Sequence, residues 1–152
     1  MTIKKIGVVS PRVCKDIEKE VNKKFTEACE KINATMEVLD TYEQVLKEYG
    51  IDIEPELHMQ VMLVTADAVF TIKKLEEELV DIKKKIEKHL KKYKDAQKNG
   101  TVLMGPVSSR RIKKVERIHL YVGFMEEEVG NLTKIIDNKM KKLLEVLDKK
   151  DK

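Results

Sequence analysis

The clearest pattern in the chain is a recurrence of apolar residues at alternating spacings of three and four. In the first segment this series extends from Val21 to Tyr49, with Thr35 filling one of its positions. A Ser-Pro pair before the segment is typical of a helix start, and Gly50 is typical of a helix end. The spacing is held for about four heptads, which predicts one long helix over residues 11–49 with a narrow apolar seam.

Two further segments repeat this pattern. The second follows the break GIDIEP and ends near an Asn-Gly pair, and His89 occupies one position of its seam. It predicts a helix over residues 55–98. The third seam includes Lys139 among its apolar residues and predicts a helix over residues 109–148.

Three seams of similar length that are joined by short connectors predict an all-α fold. We expect an elongated up-down-up three-helix bundle with coiled-coil packing, because helices joined by short loops pack as antiparallel neighbours. The chain has 152 residues, which is long enough to bury a core without metals or disulfides. Residues 1–152 are therefore expected to form a single helical domain.

One region also fits a β-structure. Arg117–Phe124 has alternating apolar residues and contains Gly123, a poor helix former. The alternative is a minor two-stranded β element near residues 101–124. The order helix, hairpin, helix over residues 60–150 is then loosely similar in topology to that of prefoldin subunits, although no specific motif matches. The apolar heptad series continues through Arg117–Phe124 without a shift, which favours the helix.

Composition indicates a folded protein, and other features of the sequence indicate where we expect to find it. The hydrophobic fraction is 41% and the charged fraction is 38%, which excludes a disordered tail. Cys14 and Cys29 lie about 22 Å apart along a straight helix, beyond the reach of a disulfide. The first ten residues lack the features of a signal peptide. The most apolar run, Met59–Phe70, is too short to span a bilayer. We therefore expect a cytoplasmic protein without a membrane partner.

Charge is distributed unevenly along the chain. Residues 81–99 contain eight lysines against three acidic residues, and residues 110–117 contain five basic residues against one acidic residue. Antiparallel packing would bring these segments to one basic pole and would leave the acidic residues 37–56 at the other. Such a pole attracts phosphate groups or acidic proteins, although lysine runs are often only the solvated face of a helix. The candidate binding residues are Lys84, Lys88, Lys91, Lys92, Arg110, Arg111, Lys113, Lys114 and Arg117.

The start of the second helix is more apolar than one seam requires. In Met59–Phe70, nine of twelve residues are apolar, and they occupy more than one side of a helix. One explanation is a thicker core at this end, covered by Ile51 and Ile53. The other is self-association of the chain into a homo-oligomer. The candidate residues for that contact are Met59, Met62, Leu63 and Phe70.

The sequence lacks a convincing catalytic constellation. Glu116-x-x-His119 has the spacing found in di-iron bundles, but such sites need a second copy and two more glutamates. No Cys/His set has zinc-finger spacing, and no phosphate-binding glycine loop or nucleophile elbow is present. We expect no enzymatic activity, no metal or other cofactor, and no small-molecule substrate.

Three functional hypotheses remain at this point. The first is a non-catalytic helical interaction protein, an adaptor or assembly module, that binds protein partners through helix packing and its basic pole. The second is a nucleic-acid-binding protein that contacts backbone phosphate without reading sequence. The third is a chaperone-like coiled-coil clamp that depends on the strand-like region.

Overall fold

A computed structural model describes residues 11–50, 55–98 and 109–151 of the chain. These residues form three α-helices, α1 (Pro11–Tyr49), α2 (Pro55–Lys98) and α3 (Ser109–Asp151). The all-α prediction is confirmed. The predicted bounds of the first two helices agree with the structure, and α3 extends three residues beyond its predicted end. The described ranges contain no strand.

The region that also fitted a β-structure is helical where the structure describes it. All of Arg117–Phe124 lies within α3, and its apolar residues Ile118 and Val122 are buried in the helix seam. Residues 117–124 therefore do not form the β element that was the alternative near residues 101–124. Residues 101–108 lie outside the described ranges. Continuity of the heptad series outweighs the local strand propensity because burial of the seam stabilises the helix.

The first helix ends as its sequence indicates. Gly50 has a φ angle of 73°, in the left-handed region that glycine adopts without steric cost. Its backbone N–H donates a hydrogen bond to the carbonyl oxygen of Leu46 at 2.9 Å. This is a common way of satisfying a carbonyl group in the last turn of a helix.

Contacts divide the chain into two compact units, and each helix contributes a part to both. Unit 1 consists of Met1–Phe25 and Leu75–Glu128, and unit 2 consists of Thr26–Lys74 and Val129–Lys152. In both units the buried side chains recur along each helix at spacings of three, four or seven residues, so they lie on one side of the helix, as the seams predicted. Burial of those seams explains why the three helices pack against one another.

In unit 1, paired side chains fix the direction of α2 relative to α3. His119 Nε2 lies 3.0 Å from Glu87 Oε1, and Lys94 Nζ lies 3.6 Å from Glu116 Oε1. Residue numbers therefore rise along one helix as they fall along the other, so the two helices are antiparallel. Their packed seams include Leu79, Ile86, Val115 and Val122.

In unit 2, the same reasoning shows that α1 and α2 are antiparallel. Lys31 Nζ lies 2.8 Å from Asp67 Oδ2, and Tyr42 Oη lies 2.5 Å from His58 Nδ1. Leu57, Met36 and other partly buried residues surround the core of this unit. The buried members of that core are Leu39, Tyr42, Leu46, Val61 and Leu143.

A charged residue lies within the buried seam of unit 2. Lys139 is 8% exposed, and its Nζ lies 2.5 Å from Asp40 Oδ1 and 2.5 Å from Glu43 Oε2. Burial acts against the charge of Lys139, but hydrogen bonds to both carboxylates outweigh burial and raise its pKa. A lysine in a helix seam is tolerated because these two residues of α1 pair with it.

Candidate interaction surfaces

An apolar face on α2 is open to solvent in unit 2. We define the α2 face as Met59, Met62, Leu63 and Phe70, which are 64%, 71%, 64% and 65% exposed. These are the residues that sequence analysis selected for self-association. Their exposure shows that the packed helices leave most of each side chain uncovered, so they do not thicken the core. Ile51 and Ile53, which were expected to cover them, lie outside the described residues.

The position of the α2 face follows from helix geometry. Met59, Leu63 and Phe70 are separated by four and seven residues, which places them on one stripe of a helix with 3.6 residues per turn. The buried residues Val61 and Ala68 lie on a stripe roughly 180° away. Because α2 packs into the unit through the buried stripe, the α2 face points outward. Its side chains are in reach of another molecule.

The candidate basic residues belong to one unit. We define the basic cluster as the nine residues selected from the sequence, and they occupy the second half of α2 and the start of α3, both within unit 1. The pair Lys94–Glu116 connects the two segments. Eight members are exposed, and these are Lys84, Lys88, Lys91, Lys92, Arg110, Lys113, Lys114 and Arg117.

Arg111 differs from the other members of the basic cluster. It is partly buried, and its guanidinium carbon lies 5.9 Å from the ring centroid of Tyr93. At this distance a guanidinium group over an aromatic face gains a cation–π attraction. Arg111 therefore joins α3 to α2, and its substitution would disturb packing as well as surface charge.

Positive charge at the start of α3 comes from two sources. Arg110, Arg111 and Lys113 lie in its first turns, and its first turn has no acidic residue. The unpaired backbone N–H groups of a helix N-terminus add a partial positive charge. The two contributions have the same sign, and both are screened by salt.

Sequence analysis missed two exposed apolar residues beside the basic cluster. Leu120 and Phe124 are 72% and 56% exposed. With Lys113 and Arg117 they are spaced by four, three and four residues, so all four lie on one outward stripe of α3. Their position outside the α3 seam could have predicted their exposure. In the strand interpretation of this region, their apolar character was instead explained by strand alternation.

A surface cleft lies between α1 and α3 within unit 1. It has a volume of about 240 Å³, and Cys14, Ile118 and Tyr121 contribute to its walls. Burial raises the pKa of the Cys14 thiol, while the positive charge of Lys114 acts in the opposite direction. Its raised pKa lowers the fraction of reactive thiolate at any given pH.

The Glu116-x-x-His119 motif is used for contacts between helices. Glu116 pairs with Lys94, and His119 hydrogen-bonds to Glu87, whose pKa is lowered by that bond. Among the described residues, no three His, Cys, Asp or Glu side chains come together as metal ligands would. The motif thus has a structural explanation in unit 1.

None of the helix residues that the structure describes forms an apolar stretch long enough to cross a bilayer. Comparison with known proteins gives no match to a protein-family model, a curated protein sequence or a solved structure.

Proposed function

We propose that the protein is a non-catalytic helical interaction module, an adaptor or assembly protein, that binds other protein chains through the α2 face and the basic cluster. The observation that supports this proposal most directly is the exposure of the α2 face. Three of its large apolar side chains share one stripe and Met62 lies beside them, and apolar surface of this kind is unfavourable in water. Contact with a partner helix removes that apolar surface from solvent.

Leu120 and Phe124 support a protein partner for the basic cluster as well. They extend the stripe of Lys113 and Arg117 with apolar surface. A partner helix with acidic and apolar residues on one side complements such a stripe in both charge and hydrophobicity. Bare phosphate would complement only the charged half of it.

Substitution within the α2 face tests the proposal. The double variant Leu63→Lys/Phe70→Lys is expected to keep its helical circular dichroism, because both side chains are exposed. Cross-linking in a lysate of the native cells is expected to join the wild-type protein to partner chains, which are other proteins or further copies of this chain. We expect the variant to recover these cross-linked chains at a level lower by roughly tenfold or more.

The matched control adds the same charge elsewhere in unit 2. Gln44→Lys/Asn138→Lys places two lysines at exposed positions of α1 and α3. It should retain the partners that the α2-face variant loses. Equal recovery of cross-linked chains by wild type, variant and control would contradict the proposal.

A second candidate function is binding of nucleic-acid backbone by the basic cluster. Three of the four arginines in the chain lie between residues 110 and 117, and arginine suits bidentate phosphate contacts. Stacking on bases has little support, because Tyr93 is 5% exposed beneath Arg111. This candidate therefore predicts binding that is independent of sequence.

Fluorescence anisotropy with a labelled duplex and a labelled single strand, over a salt series, tests this candidate. It predicts affinity that falls steeply with salt, as expected when bound counterions are released. The variant Arg110→Glu/Lys113→Glu should bind at least about tenfold more weakly. It changes exposed residues and spares Arg111, so the contact with Tyr93 is kept.

The control for that titration makes the same charge change in unit 2. Lys134→Glu/Lys141→Glu alters two exposed lysines of α3 that are outside the basic cluster. Similar losses in both variants would indicate an effect of net charge alone. Absence of binding by wild type at low salt would remove the second candidate.

A further inference from the structure

The outward side of α2 carries a complete second heptad series in unit 2. Its exposed positions alternate in spacing between three and four residues, which is the spacing of a coiled-coil seam. Charged residues close the series at both ends, and apolar residues fill its middle. In order the positions are Glu56, Met59, Leu63, Ala66, Phe70 and Lys73.

Two copies of this series complement each other when their helices run in opposite directions. Antiparallel pairing with an identical helix, centred between residues 64 and 65, puts Met59 opposite Phe70 and puts Leu63 opposite Ala66. A large side chain then meets a small one at the centre, as close packing between helices requires. The same alignment puts Glu56 opposite Lys73, with one such pair at each end.

We propose that the partner of the α2 face is a second copy of this chain, bound in antiparallel orientation with Glu56 of each copy paired with Lys73 of the other. This inference rests on the proposed function and names its partner. A two-fold axis makes every contact occur twice, so one favourable pair on the surface becomes two in the dimer. Parallel pairing would set Glu56 against Glu56 and Lys73 against Lys73, with repulsion at both ends.

Charge reversal tests the orientation. The variants Glu56→Lys and Lys73→Glu each replace two attractive pairs in the antiparallel dimer with two repulsive ones. Sedimentation velocity over a concentration series is expected to show wild-type dimers, and a dimer Kd raised by roughly tenfold in each single variant. Circular dichroism should show that both variants remain helical, since both positions are exposed.

Restoration of the pairing gives the decisive result. The double variant Glu56→Lys/Lys73→Glu should dimerise as wild type does. An equimolar mixture of the two single variants should form a heterodimer with both attractive pairs. The control variants Glu48→Lys and Lys134→Glu, at exposed positions of α1 and α3 in the same unit, should leave the wild-type Kd unchanged.

Other outcomes separate this inference from the proposed function. Wild-type dimers that respond to Leu63→Lys/Phe70→Lys but not to charge reversal would overturn the antiparallel pairing alone. A wild-type monomer at all concentrations would overturn the second copy as partner, while cross-linked proteins lost from the α2-face variant would still support the proposed function. A monomer whose cross-linked chains are unchanged in that variant would overturn both.

Discussion

Replacement of Leu39 by alanine is expected to lower the free energy of unfolding by about 2–5 kcal/mol. Leu39 is fully buried in unit 2, where it belongs to the core cluster with Tyr42, Leu46, Val61 and Leu143. Truncation removes the transfer free energy of the lost isopropyl group. It also leaves a cavity, because residues on three packed helices cannot all move inward to fill the space.

Urea denaturation followed by circular dichroism measures this loss. The matched control is Leu144→Ala on α3 of the same unit, where the leucine is 58% exposed. Its truncation should cost less than about 1 kcal/mol, because most of the side chain already contacts water. Equal costs at the two positions would contradict the placement of the core.

The second large effect concerns the charges around Lys139. We expect the double variant Asp40→Ala/Glu43→Leu to lose about 3 kcal/mol of unfolding free energy, because it leaves a buried ammonium group without a carboxylate. By contrast, Lys139→Met should cost less than about 1 kcal/mol. Methionine fills the seam with an apolar side chain. The remaining carboxylate groups of Asp40 and Glu43 are stabilised by water and by a neighbouring lysine.

The difference between these variants arises from unequal burial. The side chain of Lys139 is 9% exposed, whereas that of Asp40 is 62% exposed and is hydrated without its partner. Glu43 keeps a second cation nearby, since Lys47 Nζ lies 3.5 Å from its Oε1. Urea denaturation of both variants tests the asymmetry, and a larger loss for Lys139→Met would contradict it.

The free energy of unfolding should depend on pH through the pair of Lys139 and Glu43. The hydrogen bond from Lys139 lowers the pKa of Glu43 below its ordinary value of 4.5. A carboxyl group whose folded pKa is lowered stabilises the fold at pH above its unfolded pKa and loses that contribution as pH falls through the folded pKa. Wild type should therefore be more stable than Glu43→Gln by a constant free energy near neutral pH. This difference should become smaller as the pH is lowered into the acid range.

The double variant Asp40→Ala/Glu43→Leu should show the opposite trend. Without the carboxylates, burial alone acts on Lys139 and lowers its pKa in the folded state. A lysine whose folded pKa is lowered destabilises the fold at low and neutral pH, and that cost shrinks as pH rises toward the unfolded pKa. Titration of unfolding free energy into the alkaline range measures this recovery.

Much of the fold could be predicted from the sequence because its signal is local and repeats along the chain. The bounds of α1 and α2 follow from turn residues at their ends and from the apolar series between them. Exposure of Met62 and Phe70 follows from an apolar content greater than one seam can bury. A helix exposes any residue that lies opposite its buried stripe, whatever the partners of that stripe are.

Other features depend on how the helices are rotated against one another. Only packing shows that Arg111 lies over Tyr93 while Arg110 is exposed, although the two arginines are adjacent in sequence. Likewise, the exposure of Leu120 and Phe124 depends on which side of α3 is covered, and local strand propensity there gave no indication of it.

The sequence by itself determined three helices, their seams and the excess of apolar residues at the start of α2. Only the tertiary structure decided that Lys139 meets Asp40 and Glu43, which lie about one hundred positions earlier in the chain. The physical reason is that a helix seam is encoded by neighbours within two turns, whereas a pairing between helices depends on their relative rotation and axial alignment. Those are set by the packing of many side chains at once.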